Sequence, residues 1–436
     1  MDFKKGFILL SVLASLASGQ SFDVSGLGLA NNAVATGRGL DAFWRNPANL
    51  GYKNDAFIEI SPFAFNLLAA NNSLSLNDYS RYFTKAGNGG QWSAQDQKDV
   101  LALFPAAGFR LDANVQANIF NITVGTYGLG VSVMARGGVE IKSKKALDLA
   151  LNGLELTDSY NFSEPEFARG GAYGAIKISA GYGQLLKTKF RKWDIDNISV
   201  GAKLNYYIGM AVLQAVNSDV LVQRSASGDG FKKERITSQV HLKWRSAYSS
   251  ASFSSGSGLG IDLGASAVYK KNWYFSAVFE NIGASINWSG NTRIQEFVQF
   301  DTLFFNGDTS QAQSPLDTSY ATGSFKTSLP SYLIVGAQYN LWSNLSLMAQ
   351  WRQALSSDFG EVLTPQVGVA VEYYPIPIVP VRSGITLGGR DGFVFALGSG
   401  LHLKLFELDV SYAMRNGLWP FSAEGAYAAM GIKFRF

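Results

Sequence analysis

Histidine, cysteine and serine are where a chain of 436 residues would show acid–base or nucleophilic chemistry, and here the supply is thin. The two histidines are His241 and His402. There is no cysteine, which removes disulfides, thiolate nucleophiles and cysteine-ligated metals. The sequence holds no Gly-x-Ser-x-Gly turn and no His-Glu-x-x-His helix. The glycine run from Gly256 to Gly260 lacks the lysine and the strand-to-helix context of a phosphate loop. A serine paired with His402 is the one catalytic reading, and without a partner motif a hydrogen-bonding role for His402 is the better one. No enzyme, cofactor or metal is therefore expected. What the sequence does offer is charge at alternate positions of apolar segments. Arg110, Lys177, Lys203, Arg352, Arg382, Lys404, Arg415, Lys433 and Arg435 stand against Asp112, Asp262, Glu372, Glu407 and Asp409. Such charges either pair with one another, because isolated charge in a narrow interior is costly, or leave a surplus of base that draws the acidic head of an amphipathic ligand.

The elements that position these residues have a period of two. Phe406, Leu408, Val410, Tyr412 and Met414 form one face of a strand, with Glu407, Asp409, Ser411, Ala413 and Arg415 on the other. Ile198, Val200, Ala202, Leu204 and Tyr206 alternate in the same way with Ser199, Gly201, Lys203, Asn205 and Tyr207. Charged residues make up 16% of the chain, against about 25% in an ordinary globular protein, while aromatics reach 13% and glycines number 46. No run of about 20 apolar residues follows the first segment, so helical membrane spans are excluded. A net charge of +4 is too slight for nucleic-acid binding by bulk charge. A soluble sandwich would face water with dense charge. Here the second face carries Gly, Ser and Ala with sparse charges, which suits the lumen of an all-β transmembrane antiparallel barrel.

About fourteen strands follow, centred near Ile60, Val115, Val131, Ile178, Leu204, Leu263, Phe275, Val335, Leu347, Val369, Ile385, Leu397, Val410 and Ile432. Short links fall on one side. The long connections, Leu67 to Ala107, Glu140 to Gly170, Val212 to Gly256 and Ser289 to Pro330, all fall on the other, as in outer-membrane barrels. Thr237 to Ser249 reads as two further strands or a loop hairpin. Ser93 to Asp96 is a capping box ahead of a short helix stopped by Pro105, and Ala146 to Asn152 is a second helical candidate. These apolar turns pack on the barrel rim or receive a hydrophobic ligand.

Lys4 and Lys5 precede an apolar run from Gly6 to Ala17, with small residues Ala17-Ser18-Gly19 after it. Residues 1–19 read as a secretory signal. Residues 20–54 form a segment of different texture, and 55–436 the barrel. From Gly26 through Ala35 small residues dominate, so this segment passes through a narrow space but builds no core of its own.

Three features carry a family resemblance. The segment ends in Asn46-Pro47-Ala48, and the chain ends in alternating Met430-Gly431-Ile432-Lys433-Phe434-Arg435-Phe436. Short motifs recur at Gly260 to Ala265, Asn281-Ile282-Gly283 with Trp288, and Leu329-Pro330 with Gly336-Ala337. Together these resemble outer-membrane barrels of the FadL-type long-chain fatty-acid transporter superfamily, which includes PorV-like barrels of the type IX secretion system. The short motifs lie nearer the PorV-like and uncharacterised branches. Asn49 stands where Gly is common.

The resemblance implies a fourteen-stranded barrel in the outer membrane of a Gram-negative-type bacterium. Its lumen would hold an N-terminal hatch that includes Arg38, Asp41, Arg45, Asn46, Pro47 and Ala48. Phe436 would serve as the signal read by the barrel-assembly machinery. The expected role is passive transport of hydrophobic or amphipathic molecules, with Arg110, Lys203, Arg352, Arg382, His402, Lys404 and Arg415 facing a ligand. The alternative is a PorV-like docking barrel for secreted or surface-attached proteins. A soluble propeller or sandwich is a distant third. Expected partners are outer-membrane lipid, the assembly machinery, a hydrophobic small molecule or secreted proteins, and no nucleic acid.

Overall fold

A computed structural model of the chain describes residues 23–84, 92–106, 108–145, 147–148, 161–164, 168–186, 195–226, 234–248, 254–304, 311–312 and 316–436. The signal expected over residues 1–19 and most of the helix expected at Ala146 to Asn152 lie outside them. Fourteen antiparallel strands close into a transmembrane barrel. In chain order they are β1 (Ile58–Asn71), β2 (Phe109–Val124), β3 (Tyr127–Ile141), β4 (Ala168–Leu186), β5 (Ile195–Ala226), β6 (Gly256–Tyr269) and β7 (Trp273–Trp288). The second half comprises β8 (Tyr332–Trp342), β9 (Leu345–Ala354), β10 (Gln366–Ile376), β11 (Val379–Gly388), β12 (Val394–His402), β13 (Phe406–Arg415) and β14 (Gly425–Arg435). Each strand pairs with the next, and the ladder from Glu59↔Arg435 to Ala70↔Gly425 joins β14 to β1. That seam shifts register between Ile60 and Phe63, where Pro62 has no N–H to give to a ladder.

Side-chain polarity is inverted relative to a soluble protein. Leu129, Leu204, Leu263, Val369, Leu387 and Val410 are among many large apolar residues exposed on the outer face. Asn118, Ser132, Asn205, Asp262, Ser276 and Arg415 are buried inside. A continuous apolar exterior of this kind is stable only against hydrocarbon. At the short-turn rim the exterior turns aromatic, with Phe57, Tyr127, Trp342 and Phe436 all more than 60% exposed and the Trp273 ring tilted against Tyr339 with centroids 4.5 Å apart. Tyr and Trp prefer that depth, where a ring meets lipid and a polar tip meets water. The soluble sandwich or propeller is overturned, because the described strands form one closed sheet whose apolar face is exposed.

Long connections share one rim. There β5 runs on far beyond the 9–11 residues needed to cross a membrane and pairs with Glu234–Tyr248. This segment, expected as two strands or a hairpin, is a single strand. It pairs in turn with Arg293–Phe304, which pairs with Leu316–Ala321, so a small sheet stands above the rim. The capping box expected at Ser93 is present, and its helix, Ala94–Leu103, sends Val100 into an apolar cluster with Tyr82 and Phe104. This helix thus packs on the Tyr79–Phe83 turn of the same loop.

Candidate functional site

Residues 23–51 lie inside the barrel and circle its inner wall. Asp23 caps the short helix α1 (Val24–Gly28) by accepting from the Gly26 N–H at 2.6 Å. The chain then passes under β11, β10, β9 and β8, where Asn32 donates to Ile385 O and Val34 N donates to Gln350 Oε1. It forms a second helix, α2 (Gly39–Arg45), and a 3-10 turn, Pro47–Gly51, against β4, β5 and β6. Glycines in the wall permit this close approach. A Cβ on Gly398 would lie 2.9 Å from the Gly28 Cα, and one on Gly431 would lie 2.8 Å from Val24. Part of the glycine excess in the composition therefore lines the track of the plug.

Asn46-Pro47-Ala48 opens the 3-10 turn of the plug, with Asn46 as its cap. The Asn46 side chain accepts from Ala48 N and donates towards Ser266 Oγ at 3.3 Å. Asn49 donates to Val34 O and Thr36 O and accepts from Ser266 Oγ at 2.6 Å, tying both halves of the plug to β6. It sits in the 3-10 turn with ordinary backbone, so no left-handed conformation is required of it.

Charges in the short-turn half are paired. Arg45 grips Asp23 with two nitrogens, at 2.8 and 2.7 Å. Lys433 holds Asp41 at 3.0 Å and Glu407 at 2.9 Å, while Arg435 bridges Glu407 and Glu59. Burial would raise the Asp41 carboxyl, but Lys433 and Arg45 hold it below the usual carboxylate range. Arg38 stacks on Tyr52 and Tyr274 instead of joining this set. Arg382 joins Glu372 and Asp409, and Lys203 joins Asp262 at 3.0 Å while donating to Phe43 O of the plug. His402 sits on Asp409 at 3.0 Å. Among the described residues its polar partners are Asp409 and Glu407, not a serine. His402, Glu407 and Asp409 bring ligand atoms within 4.8 Å of one another, as a metal would need. Arg382, Lys433 and Arg435 already neutralise those carboxylates, so the set is an ion-pair cluster.

Lys404 requires a correction. Strand β12 ends at His402, and the tight turn to β13 turns Lys404 out to solvent, so the alternation that placed it inside stops two residues earlier. Small cavities remain beside the plug. A cavity of about 30 Å³ lies by Asp23, Asn31, Arg45 and Arg352, and one of about 10 Å³ by Asp41, Asp409 and Lys433. The larger has room for a water or two and the smaller for one at most.

The long-loop half is different in kind. Asp112 receives Arg110, Arg390 and Arg415. Beside them Arg136, fully buried, faces Glu361 at 3.4 Å, and the Tyr332 hydroxyl donates to the same oxygen at 2.6 Å. Arg352 lies over the Tyr332 ring at 3.8 Å. An apolar cluster adjoins them, built from Met134, Tyr173, Tyr207, Ile286, Trp288 and Leu329. The β9–β10 loop, residues 355–365, folds into this recess with Phe359 and Glu361. Burial favours the protonated Glu361, yet Arg352, Arg136 and Arg390, with the Tyr332 hydroxyl, outweigh it and bring its carboxyl down to about 2.

The wall is interrupted next to this recess. Asn281 and Gly283 take positive φ values of 55° and 65°, and the β6–β7 register shifts twice between Leu259 and Leu263. On the other side Pro330 has no N–H for a ladder. Side chains replace the missing bonds, with Asn281 Nδ2 donating to Pro330 O and Ser331 Oγ to Asn281 O. The Asn281-Ile282-Gly283 and Leu329-Pro330 motifs, distant in sequence, thus meet at one point of the wall.

Sequence reading missed Arg136, Arg390, Tyr332 and Glu361. Arg136 was within reach, since it continues the inward series Gly130, Ser132, Met134 on β3. Glu361 was not, because loop residues carry no period.

Comparison with solved structures finds the toluene transporter TbuX of Ralstonia pickettii, 14% identical over 94% of this chain and 98% of that one, with a TM-score of 0.48. It also finds a Pseudomonas aeruginosa FadL homologue, 11% identical over 97% and 99%, with a TM-score of 0.49. The Pseudomonas putida toluene transporter TodX is 11% identical over 91% and 94%, with a TM-score of 0.46. No curated protein sequence matches the chain. A family model matches residues 47–411, from the plug turn to β13, and the chain belongs to that family, the family of unknown function DUF5723.

Proposed function

We propose that the protein is an outer-membrane barrel that passively admits hydrophobic or amphipathic small molecules. The observation that carries this is the recess on the long-loop side of the plug, with apolar and cationic lining, set against an interruption in the barrel wall. A molecule entering from the loops meets aromatic rings and arginines, faces the plug along the axis, and has the β7–β8 interruption as a sideways way out into lipid. Movement down a gradient needs no energy source and no catalytic residue.

A neutral hydrophobic fluorophore, N-phenyl-1-naphthylamine, tests this in intact cells, because it brightens on reaching lipid and an intact outer membrane excludes it. Cells carrying the barrel should take it up faster than cells without it. The variant Asn281→Cys/Ser331→Cys, free of background thiols, should slow uptake when oxidised and recover on reduction. Equal uptake with and without the barrel would overturn the proposal.

The small sheet above the rim favours a second reading, a docking barrel that holds secreted proteins. Purification separates the two, since a docking barrel co-purifies with protein partners and a transporter with lipid or detergent.

A further inference from the structure

The β9–β10 loop fills the recess with an aromatic ring and a carboxylate two residues apart. Phe359 lies on Tyr173 with ring centroids 4.8 Å apart and packs against the apolar cluster. Glu361 enters the cationic side. The Tyr332 hydroxyl donates to it at 2.6 Å, but its fit to the arginines is imperfect. The Arg136 nitrogen stands 3.4 Å away, where a charge-assisted bond of good geometry measures about 2.7–2.9 Å. Among the described residues the buried Nε donors of Arg136 and Arg390 have no acceptor, and these side chains are 0% and 7% exposed. Buried guanidinium donors without partners are rare, and they leave more donors at this site than the internal carboxylate satisfies. The loop is also held in an unfavourable shape. Phe359 has φ of 51°, a conformation a bulky side chain seldom adopts, and Arg390 Nη1 pins it by donating to Phe359 O at 2.8 Å. A segment that is strained, imperfectly bonded and placed at the rim is poised to leave.

Building on the transport reading, we propose that the Arg136–Tyr332 recess is a carboxylate site for an aromatic acid, and that the chain's own Phe359 and Glu361 occupy it at rest as a tethered competing ligand. An incoming arylalkyl carboxylate places its ring on Tyr173 where Phe359 lay. Its two oxygens take the Arg136 and Arg390 donors that Glu361 leaves unmet, and the loop lifts.

Calorimetric titration of the purified full-length protein with 3-phenylpropanoate and with its neutral amide tests this. Glu361→Gln should tighten the acid at least about tenfold by removing the competing charge, and leave the amide within about twofold. Phe359→Ala should tighten both. Adding Arg136→Gln to Glu361→Gln should abolish the preference for the acid. Equal affinities of acid and amide for Glu361→Gln, or an unchanged acid affinity, would overturn the proposal. Fluorophore uptake by the wild-type barrel separates the layers. If uptake persists while the acid shows no preference, this inference alone falls; if uptake also fails, the transport reading falls with it.

Discussion

The Arg45–Asp23 pair joins the two ends of the plug, and its removal is a measurable perturbation. Arg45 binds both Asp23 oxygens, and its Nη2 also reaches Ser25 Oγ; the two charged side chains are 8% and 4% exposed. Stripping one partner from a buried pair costs about 3–5 kcal/mol, since the other charge stays in a dry site. Asp23 keeps two donors, Ser25 Oγ at 2.8 Å and Gly26 N at 2.6 Å, which places Arg45→Gln at the low end, about 3 kcal/mol. At 1.4 kcal/mol per tenfold, local opening of residues 24–36 should become about a hundredfold more frequent. Native-state hydrogen exchange of the detergent-solubilised protein reads this directly. A double-mutant cycle with Asp23→Asn should return a coupling of about 2 kcal/mol, because the double variant leaves no orphan charge. Exchange within about twofold of wild type in Arg45→Gln, or strict additivity in the cycle, would show that the pair does not anchor the plug.

Two further outcomes follow from close approach and from linkage. Gly398→Val should displace α1 and speed exchange over residues 24–30, since even one added carbon meets the Gly28 backbone at 2.9 Å; Gly174→Ala, with nothing within 4 Å of the added carbon, should leave exchange unchanged. A carboxyl held near 2 against an ordinary 4.5 contributes stability that is complete above pH 4.5 and disappears as pH falls through about 2, so docking of the β9–β10 loop should weaken only in acid, by about 3 kcal/mol in all. A fluorophore on Leu363→Cys, an exposed loop position, should keep constant anisotropy from pH 8 to 5 and lose it below about pH 4; release near neutrality would contradict the assigned partners.

How much of this was legible in the residues follows from which signals are local. The period of two is local. Val410, Leu204 and Leu263 face outward, while Asp409, Lys203 and Asp262 face inward, because a pleated strand turns successive side chains to opposite faces whatever surrounds it. Strand number, the single-rim grouping of long loops, the inward charges and the small-residue plug were therefore readable in advance. Lys404 marks where that logic stops, one turn beyond the end of a strand.

Pairing is not local, and tertiary structure alone decided it. Whether the inward bases were a surplus or matched was set by register and by the path of the plug. These brought Asp41 to Lys433 across nearly the whole chain, and Asp112, beside Arg110 on its own strand, to Arg390 and Arg415 from two distant places. The entry of Phe359 and Glu361 into the recess, and the meeting of Asn281 with Pro330, were equally out of reach. Alternation tells each residue which side of a sheet it faces. Which atom waits across an enclosed space depends on how the whole cylinder closes, and no stretch of sequence carries that by itself.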